Sequence, residues 1–210
     1  MKYKVMIVED QTMPRELFEL RIQASEHFEV ALSIDNAALA DVYCLRFPVD
    51  LILMDVVTRN GESGLDAAER IKRAFPQIKI IIVTSMPECS YLSRAREIGV
   101  ESFWYKEEQR ESMLDVMERT MAGESVYPDA TPELQLGLAS SYKFTDRELD
   151  VLREMTSGDT NQEIAERLHM SVATVKTHIL NMLEKTGFRN RTELAVRARE
   201  SGLVILNRKN

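Results

Sequence analysis

The chain has 210 residues, 44% of them apolar and 29% charged, with a formal net charge of −7 at pH 7. That length holds one large domain or two modest ones, and no apolar stretch approaches the roughly 18 residues of a membrane span. Met1-Lys2 leads straight into a strand pattern without signal-peptide architecture. Cys44 and Cys89 show neither metal-site spacing nor a disulfide framework, so a reducing cytosol is the expected setting. The charge is uneven. Residues 1–124 carry 15 Lys+Arg against 22 Asp+Glu, residues 125–210 carry 12 of each, and the segment from Ser171 onward carries 8 basic to 3 acidic. The acidic half argues against nucleic-acid contact there, while the basic tail permits it.

Residues 1–122 alternate strand and helix patterns. β-branched or apolar runs lie at 4–8, 29–33, 51–54, 79–83 and 102–105, with amphipathic segments at about 14–26, 36–46, 64–75, 88–98 and 107–122 between them. Five such βα units predict an α/β fold, a doubly wound five-stranded parallel sheet with right-handed crossovers and the strand order 2-1-3-4-5. Run 51–54 is apolar on both faces, as a central parallel strand requires. In residues 123–143, Gly123, Pro128, Pro132, Gly137 and Ser140-Ser141 break any long period, which predicts a linker with one short helix near 131–139. The remainder, 144–210, reads as a small all-α domain of four short helices. Thr145-Asp146-Arg147-Glu148 and Thr160-Asn161-Gln162-Glu163 fit capping boxes. Ser171 fits an N-cap, and Asn190-Arg191-Thr192-Glu193 repeats the spacing. Gly158, Gly187 and Gly202 stand where helices end.

The strand runs of the first domain each end in a reactive or charged residue. Val5-Met6-Ile7-Val8 meets Glu9-Asp10, Leu51-Ile52-Leu53-Met54 meets Asp55, Ile80-Ile81-Ile82-Val83 meets Thr84, and Ser102-Phe103-Trp104-Tyr105 meets Lys106. Open parallel sheets place their sites outside the carboxyl ends of the strands. Singly, these residues have ordinary explanations as a helix start, a turn residue or a solvated lysine. Four in succession bring three carboxylates, a hydroxyl and an ammonium to one crevice. That set suits phosphoryl transfer, with Asp55 as the nucleophile that becomes an acyl phosphate. Mg²⁺ is the expected cofactor, with Asp10 and Asp55 as direct ligands, Glu9 holding a metal-bound water and the Val57 carbonyl completing the shell. Lys106 would pair first with the acceptor and then with the phosphoryl group. Thr84 would donate to a phosphoryl oxygen.

On Glu9-Asp10, Asp55, Thr84 and Lys106, in this order and at these separations, residues 1–122 resemble the receiver domain of bacterial two-component response regulators. The resemblance implies phosphotransfer from a sensor histidine kinase to Asp55. It also implies a switch in which Thr84 moves toward the phosphoryl group and an aromatic on the fifth strand, here Phe103, swings inward. The chain departs from that pattern at Thr58-Arg59, where a Met-Pro pair is common, at an extra Asn60-Gly61 before Gly64, and at Glu107, where proline often follows the lysine.

In the second domain, residues 161–168, a turn at His169-Met170-Ser171, and residues 172–184 have helix-turn-helix dimensions. Ile164, Ala165 and Leu168 form one apolar face, and Val172, Val175, Ile179, Met182 and Leu183 another. The second helix would then expose Thr174, Lys176, Thr177, His178, Leu180, Asn181 and Lys185 to a major groove. With Phe144-Thr145-Asp146-Arg147-Glu148, Gly158, Asn161-Gln162-Glu163-Ile164-Ala165, Ser171, Thr174-Val175-Lys176, His178 and Asn190-Arg191-Thr192-Glu193, residues 144–203 resemble the LuxR-type helix-turn-helix of the NarL/FixJ subfamily. By that resemblance Lys176 and Thr177 face bases, with Leu180 and Asn181 next. Asn161, Thr174, His178, Lys185, Arg189 and Arg191 hold phosphates. A basic residue is frequent where Leu180 stands, and its absence argues for an apolar contact such as a thymine methyl, or for none.

The chain therefore reads as a cytosolic DNA-binding regulator rather than an enzyme, with domains at 1–122 and 144–210 and a linker at 123–143. Phosphorylation of Asp55 would favour a homodimer on a double-stranded operator. One rival is a phosphorylation-independent regulator that uses the receiver-like domain for dimerisation, motivated by the altered 56–64 loop. Another is a phosphatase or phosphotransferase acting on other molecules, which the effector motif disfavours.

Overall fold

The computed structural model describes residues 2–59, 62–85, 89–106, 112–129, 132–201 and 203–204. Asn60-Gly61, Glu107 and Gly202 lie outside the described residues, as do the side chain of Cys89 and the predicted start of the fifth helix. The chain divides into two compact units and, among the described residues, passes from the first to the second between 129 and 132.

The first unit is built on five parallel strands, Tyr3–Val8 (β1), Phe28–Ile34 (β2), Leu51–Asp55 (β3), Lys79–Thr84 (β4) and Ser102–Tyr105 (β5). Their order is β2-β1-β3-β4-β5, as expected from the βα alternation. The connecting helices are Thr12–Gln23 (α1), Ala40–Arg46 (α2, after one turn of 3₁₀ helix), Gly64–Ala74 (α3), Cys89–Ile98 (α4) and Met113–Met121 (α5). Successive strand side chains alternate between two cores. Met6, Val8, Ile52, Met54, Ile80 and Ile82 pack with Leu65, Ala68 and Ile71 of α3 and Ala95 of α4. Val5, Ile7, Leu51, Leu53, Ile81 and Val83 pack with Phe18 and Ile22 of α1 and Val116 and Met117 of α5. All five residues of β3 are buried, which is why that run shows no polar alternation.

The predicted linker divides between the units. The Phe103 amide donates to the Val126 carbonyl (2.8 Å) and the Tyr127 hydroxyl to the Val100 carbonyl (2.8 Å), so the chain after α5 lies against β5. Residues 131–139, expected to hold a short helix, instead carry a hairpin, with Gln135–Leu136 paired antiparallel to Ala139–Ser140. Gly137 turns it at φ 61, a backbone conformation that side chains disfavour. The Leu138 amide donates to the Thr186 carbonyl (2.9 Å), and a Cβ at Gly137 would fall 2.2 Å from that same oxygen.

The second unit has the four expected helices, Asp146–Thr156 (α6), Asn161–Arg167 (α7), Val172–Thr186 (α8) and Arg191–Glu200 (α9). Thr145 and Thr160 each close a capping box, with Glu148 and Glu163 reaching back to the cap amides. Ser171 and Asn190 accept the Thr174 and Glu193 amides. Gly187 ends α8 in the left-handed conformation. His169, between α7 and α8, has φ 51, so the turn is made by a residue that pays a steric penalty glycine would avoid. Val151, Leu152, Ile164, Val175, Met182, Leu194 and Ala198 are all buried.

Candidate functional site

Strand register brings the predicted residues of the first unit to one end of the sheet. Val8 pairs with Met54, Asp55 with Val83, and Thr84 with Tyr105, so the residues at or just after these positions emerge side by side. The Lys106 amide donates to the Thr84 carbonyl (2.9 Å), which continues the β4–β5 ladder by one step. Beyond it the Lys106 ammonium bridges two carboxylates, 2.5 Å from Glu9 Oε2 and 2.8 Å from Asp55 Oδ2. Glu9, Asp55 and Thr84 are buried, and Asp10 is half-buried. Two backbone amides fix the acids: Gln11 N donates to Glu9 Oε1 (3.1 Å) and Val56 N to Asp55 Oδ1 (2.7 Å).

Burial pushes the Asp55 carboxyl up to about 7. The Lys106 charge opposes this rise, and the Glu9 charge adds to it. Burial pulls the Lys106 ammonium down, but its pairing with Asp55 and Glu9 outweighs that and leaves it above its ordinary value. One ammonium shared by two buried carboxylates leaves negative charge uncompensated. Glu9, Asp10 and Asp55 bring one carboxylate oxygen each within 4.8 Å of one another. A cluster of oxygen donors with excess negative charge fits a hard divalent cation such as Mg²⁺.

Val57, named for its carbonyl, begins a two-residue strand, Val57–Thr58, paired antiparallel with Glu62–Ser63. Sequence reasoning left Thr58 and Arg59 as departures from a pattern. The structure shows their bonds. The buried Thr58 hydroxyl accepts from Ala37 N (2.9 Å) and donates to the Glu62 carbonyl (3.1 Å), and Arg59 N donates to the Asp35 carbonyl (3.2 Å). Gly64, which the sequence marks only as the end of the altered loop, has a structural role as well. Its amide donates to the Val56 carbonyl (2.8 Å), and a Cβ there would lie 1.8 Å from the Asp55 carbonyl oxygen. A glycine opening a helix was the only available signal. Phe103 is fully buried, its ring 5.0 Å from that of Tyr105 and 6.3 Å from that of Tyr127.

In the second unit, α8 buries Val175, Ile179, Met182 and Thr186 and exposes Thr174, Lys176, Thr177, Leu180 and Asn181, as the spacing predicted. His178 is half-buried. Lys185 was expected on the exposed face, but its ammonium is held by both oxygens of the buried Glu148 (2.8 and 2.6 Å) and by the Lys143 carbonyl (2.8 Å). Arg191 donates to Asn161 Oδ1 (2.9 Å) and to the Asp159 carbonyl (2.7 Å), joining the starts of α7 and α9. Arg189 is exposed.

Residues 5–118 match the family model of the response regulator receiver domain, and residues 142–198 match that of the bacterial regulatory proteins of the luxR family. The chain is 31% identical over 212 residues to the response regulator protein VraR of Staphylococcus aureus (strain Mu3 / ATCC 700698), with 97% of this chain and 100% of that protein covered. VraR of Staphylococcus epidermidis (strain ATCC 12228 / FDA PCI 1200) matches at the same level. This chain is a two-component response regulator.

Its first unit is the receiver and its second a LuxR-type DNA-binding domain. The fold of this regulator is shared with RcsB from Salmonella enterica serovar Typhimurium, solved bound to promoter P1flhDC in the presence of the phosphomimetic BeF3−. That match has a TM-score of 0.61 at 19% identity and covers 97% of this chain and 100% of that one. A second structure, of an RcsB–DNA complex, matches with a TM-score of 0.62 at 18% identity over 95% and 98% of the two chains. Among the described residues, no helix of the regulator is long and apolar enough to cross a membrane.

Proposed function

We propose that phosphorylation of Asp55 by a sensor histidine kinase switches this regulator between states of low and high operator affinity. The observation that carries the reading is the Lys106 ammonium held between Glu9 and Asp55 at the buried end of the sheet. An Asp55 oxygen attacks the phosphorus of a phosphohistidine, forming the O–P bond as the N–P bond breaks. The histidine nitrogen leaves with the electron pair. Lys106 then has a phosphoryl oxygen to pair with in place of the carboxylate it now holds, and the Thr84 hydroxyl donates to another. Mg²⁺ would be held by Asp10 and Asp55, by Glu9 through a water and by the Val57 carbonyl. It supplies neutralisation of the charge on the transferring group.

The added charge acts through Thr84 and Phe103. Phe103 donates its amide to Val126 and shares a ring contact with Tyr127, so its movement reaches the start of the segment that leaves the receiver. The phosphorylated form is a homodimer whose two helix-turn-helix units take half-sites about one helical turn (~10 bp) apart on a double-stranded operator. Lys176, Thr177, Leu180 and Asn181 face bases. Asn161, Thr174, His178, Arg189 and Arg191 hold phosphates. Lys185 acts through Glu148, fixing the end of α8 against the start of α6.

The test is treatment of wild type and Asp55→Ala with phosphoramidate and Mg²⁺, followed by Phos-tag electrophoresis, sizing and operator titration. A shifted band, a dimer and tighter binding are expected of wild type alone. Identical size and affinity for the two proteins would favour a receiver that dimerises without phosphorylation.

A further inference from the structure

The exposed face of α8 carries an apolar strip where a nucleic-acid-binding helix is expected to be polar. Ala173, Thr177 and Leu180 recur at spacings of four and three, so they lie one above another on the helix surface. Leu180 is 65% exposed. The Thr177 hydroxyl donates to the Ala173 carbonyl (3.0 Å), so its hydrogen is engaged within the helix and its methyl group joins the strip. Exposed Lys176 and Asn181 flank the strip. Lys185, the other cation of this helix, is withdrawn onto Glu148, and His178 is half-buried. The face thus offers the Lys176 ammonium, the Asn181 amide and the Thr174 hydroxyl beside a row of aliphatic carbon, which the exposed Glu184 carboxylate ends one turn past Leu180.

Among the base edges of the major groove, the thymine 5-methyl is the apolar group, and alanine, threonine methyl and similar side chains meet it by simple contact. Exposed aliphatic carbon gains free energy only where it removes apolar surface from water. Opposite a guanine or cytosine edge, Leu180 would instead strip water from donors and acceptors to which it offers no partner. We propose that Leu180, with Ala173 and the Thr177 methyl, selects thymine at adjacent positions of each half-site, while Lys176 and Asn181 bond the polar edges beside them. This rests on α8 being the recognition helix, and it adds the base that the helix prefers.

The full-length regulator, treated with phosphoramidate and Mg²⁺, is used to enrich duplexes from a random pool. Anisotropy is then read on the winning duplex with each thymine replaced in turn by uracil, which removes the 5-methyl alone. Wild type is expected to weaken about three- to fourfold at one or two positions per half-site, the scale of one buried methyl group. Leu180→Ala is expected to bind the unsubstituted duplex more weakly and to lose the uracil penalty at one position per half-site, the one that Leu180 faces. A wild type indifferent to uracil everywhere, or a Leu180→Ala variant that keeps the wild-type penalties, would overturn the proposal while leaving α8 as the DNA-binding element. If no duplex is enriched and Lys176→Ala binds every duplex as wild type does, the recognition-helix reading falls, and the thymine preference falls with it.

Discussion

Glu9, Asp55 and Lys106 lie out of water at the end of a parallel sheet, whereas Lys176, Thr177, Leu180 and Asn181 stand in water along one face of a helix. The first arrangement stores electrostatic tension. Two carboxylates compete for one ammonium where solvent cannot screen them, so a cation or a phosphoryl group placed there changes a large local imbalance. The second stores none. Its one ammonium, on Lys176, and its one side-chain amide, on Asn181, are exposed, and the buried charge nearby, Glu148, is compensated by Lys185 and by the Thr145 amide and hydroxyl. A switch needs the first kind of site, and a surface that samples many DNA sequences needs the second.

The largest effect should come from removing the shared cation. Lys106→Met leaves two buried carboxylates facing each other, and breaking a buried pair from one side costs about 4 kcal/mol. Unfolding in urea, followed by the fluorescence of Trp104 in β5, should show a loss of that size. Trp104 is the single tryptophan of the chain and so reports on the receiver alone. A loss below about 1 kcal/mol, the scale of an exposed ion pair, would mean that the site is not under tension. Gly64→Ala should follow. The added carbon collides with the Asp55 carbonyl, which is backbone and cannot swing aside, and overpacking of this kind costs up to about 3 kcal/mol. The same variant should be phosphorylated more slowly, because the carbonyl that moves belongs to the acceptor. Unchanged stability and labelling would show that α3 backs away freely.

The two units should also answer pH with opposite signs. An unfolded Asp55 loses its proton near 4, while the folded carboxyl keeps it to about 7. Between those values the folded state binds more protons, so the receiver loses stability as pH rises. Asp55→Asn removes that penalty. In EDTA its advantage over wild type should grow from pH 4 to pH 7, reach about 4 kcal/mol and then level off. Burial raises the Glu148 carboxyl, but hydrogen bonds from Lys185 and Thr145 outweigh it and hold the group below its ordinary value. Its contribution is therefore complete above the unfolded value and is lost as pH falls through the depressed folded one. Glu148→Gln should be less stable than wild type at neutral pH, with the gap closing below about pH 4. Amide hydrogen exchange in α6 and α8 follows this unit, and a gap that stayed constant with pH would mean that the Lys185 pair contributes nothing.

The sheet and the gathering of Glu9, Asp55, Thr84 and Lys106 at its end were legible because strand-end chemistry and strand order are both written locally. β-branched runs fix the strands, and the residue after each run is the one that emerges in the crevice. The helices of the second unit were legible for the same reason, since Thr145, Thr160, Ser171 and Asn190 cap the helices they immediately precede. What escaped depends on contacts between distant positions. The hairpin at 135–140 has two-residue strands, too short to show a period, and its turn is fixed by Thr186, almost fifty residues on. Lys185 falls on the exposed face by helical spacing, yet its long side chain reaches back to a buried carboxylate. Gly64 matters through an oxygen nine residues earlier, a contact that exists only once α3 has packed on β3.

The smallest expected effect lies where the second unit begins. Thr145 caps α6: its hydroxyl accepts the Glu148 amide (3.3 Å) and donates to Glu148 Oε2 (3.1 Å), and its own amide donates to that same oxygen (2.8 Å). Thr145→Ala removes the hydroxyl bonds and keeps the amide bond, so a loss of about 1 kcal/mol is expected, the usual size for a deleted N-cap. Thr145→Ser should restore most of it. The loss should appear as faster hydrogen exchange in the first turn of α6 and, because Glu148 also holds Lys185, in the last turn of α8. Operator affinity should fall only slightly, since the residues of α8 proposed to face bases precede that turn. Exchange that changes in α6 alone would show that Glu148 holds Lys185 without help from the cap, and the contrast between a tense receiver and a compensated effector would then rest on the Lys185 pair alone.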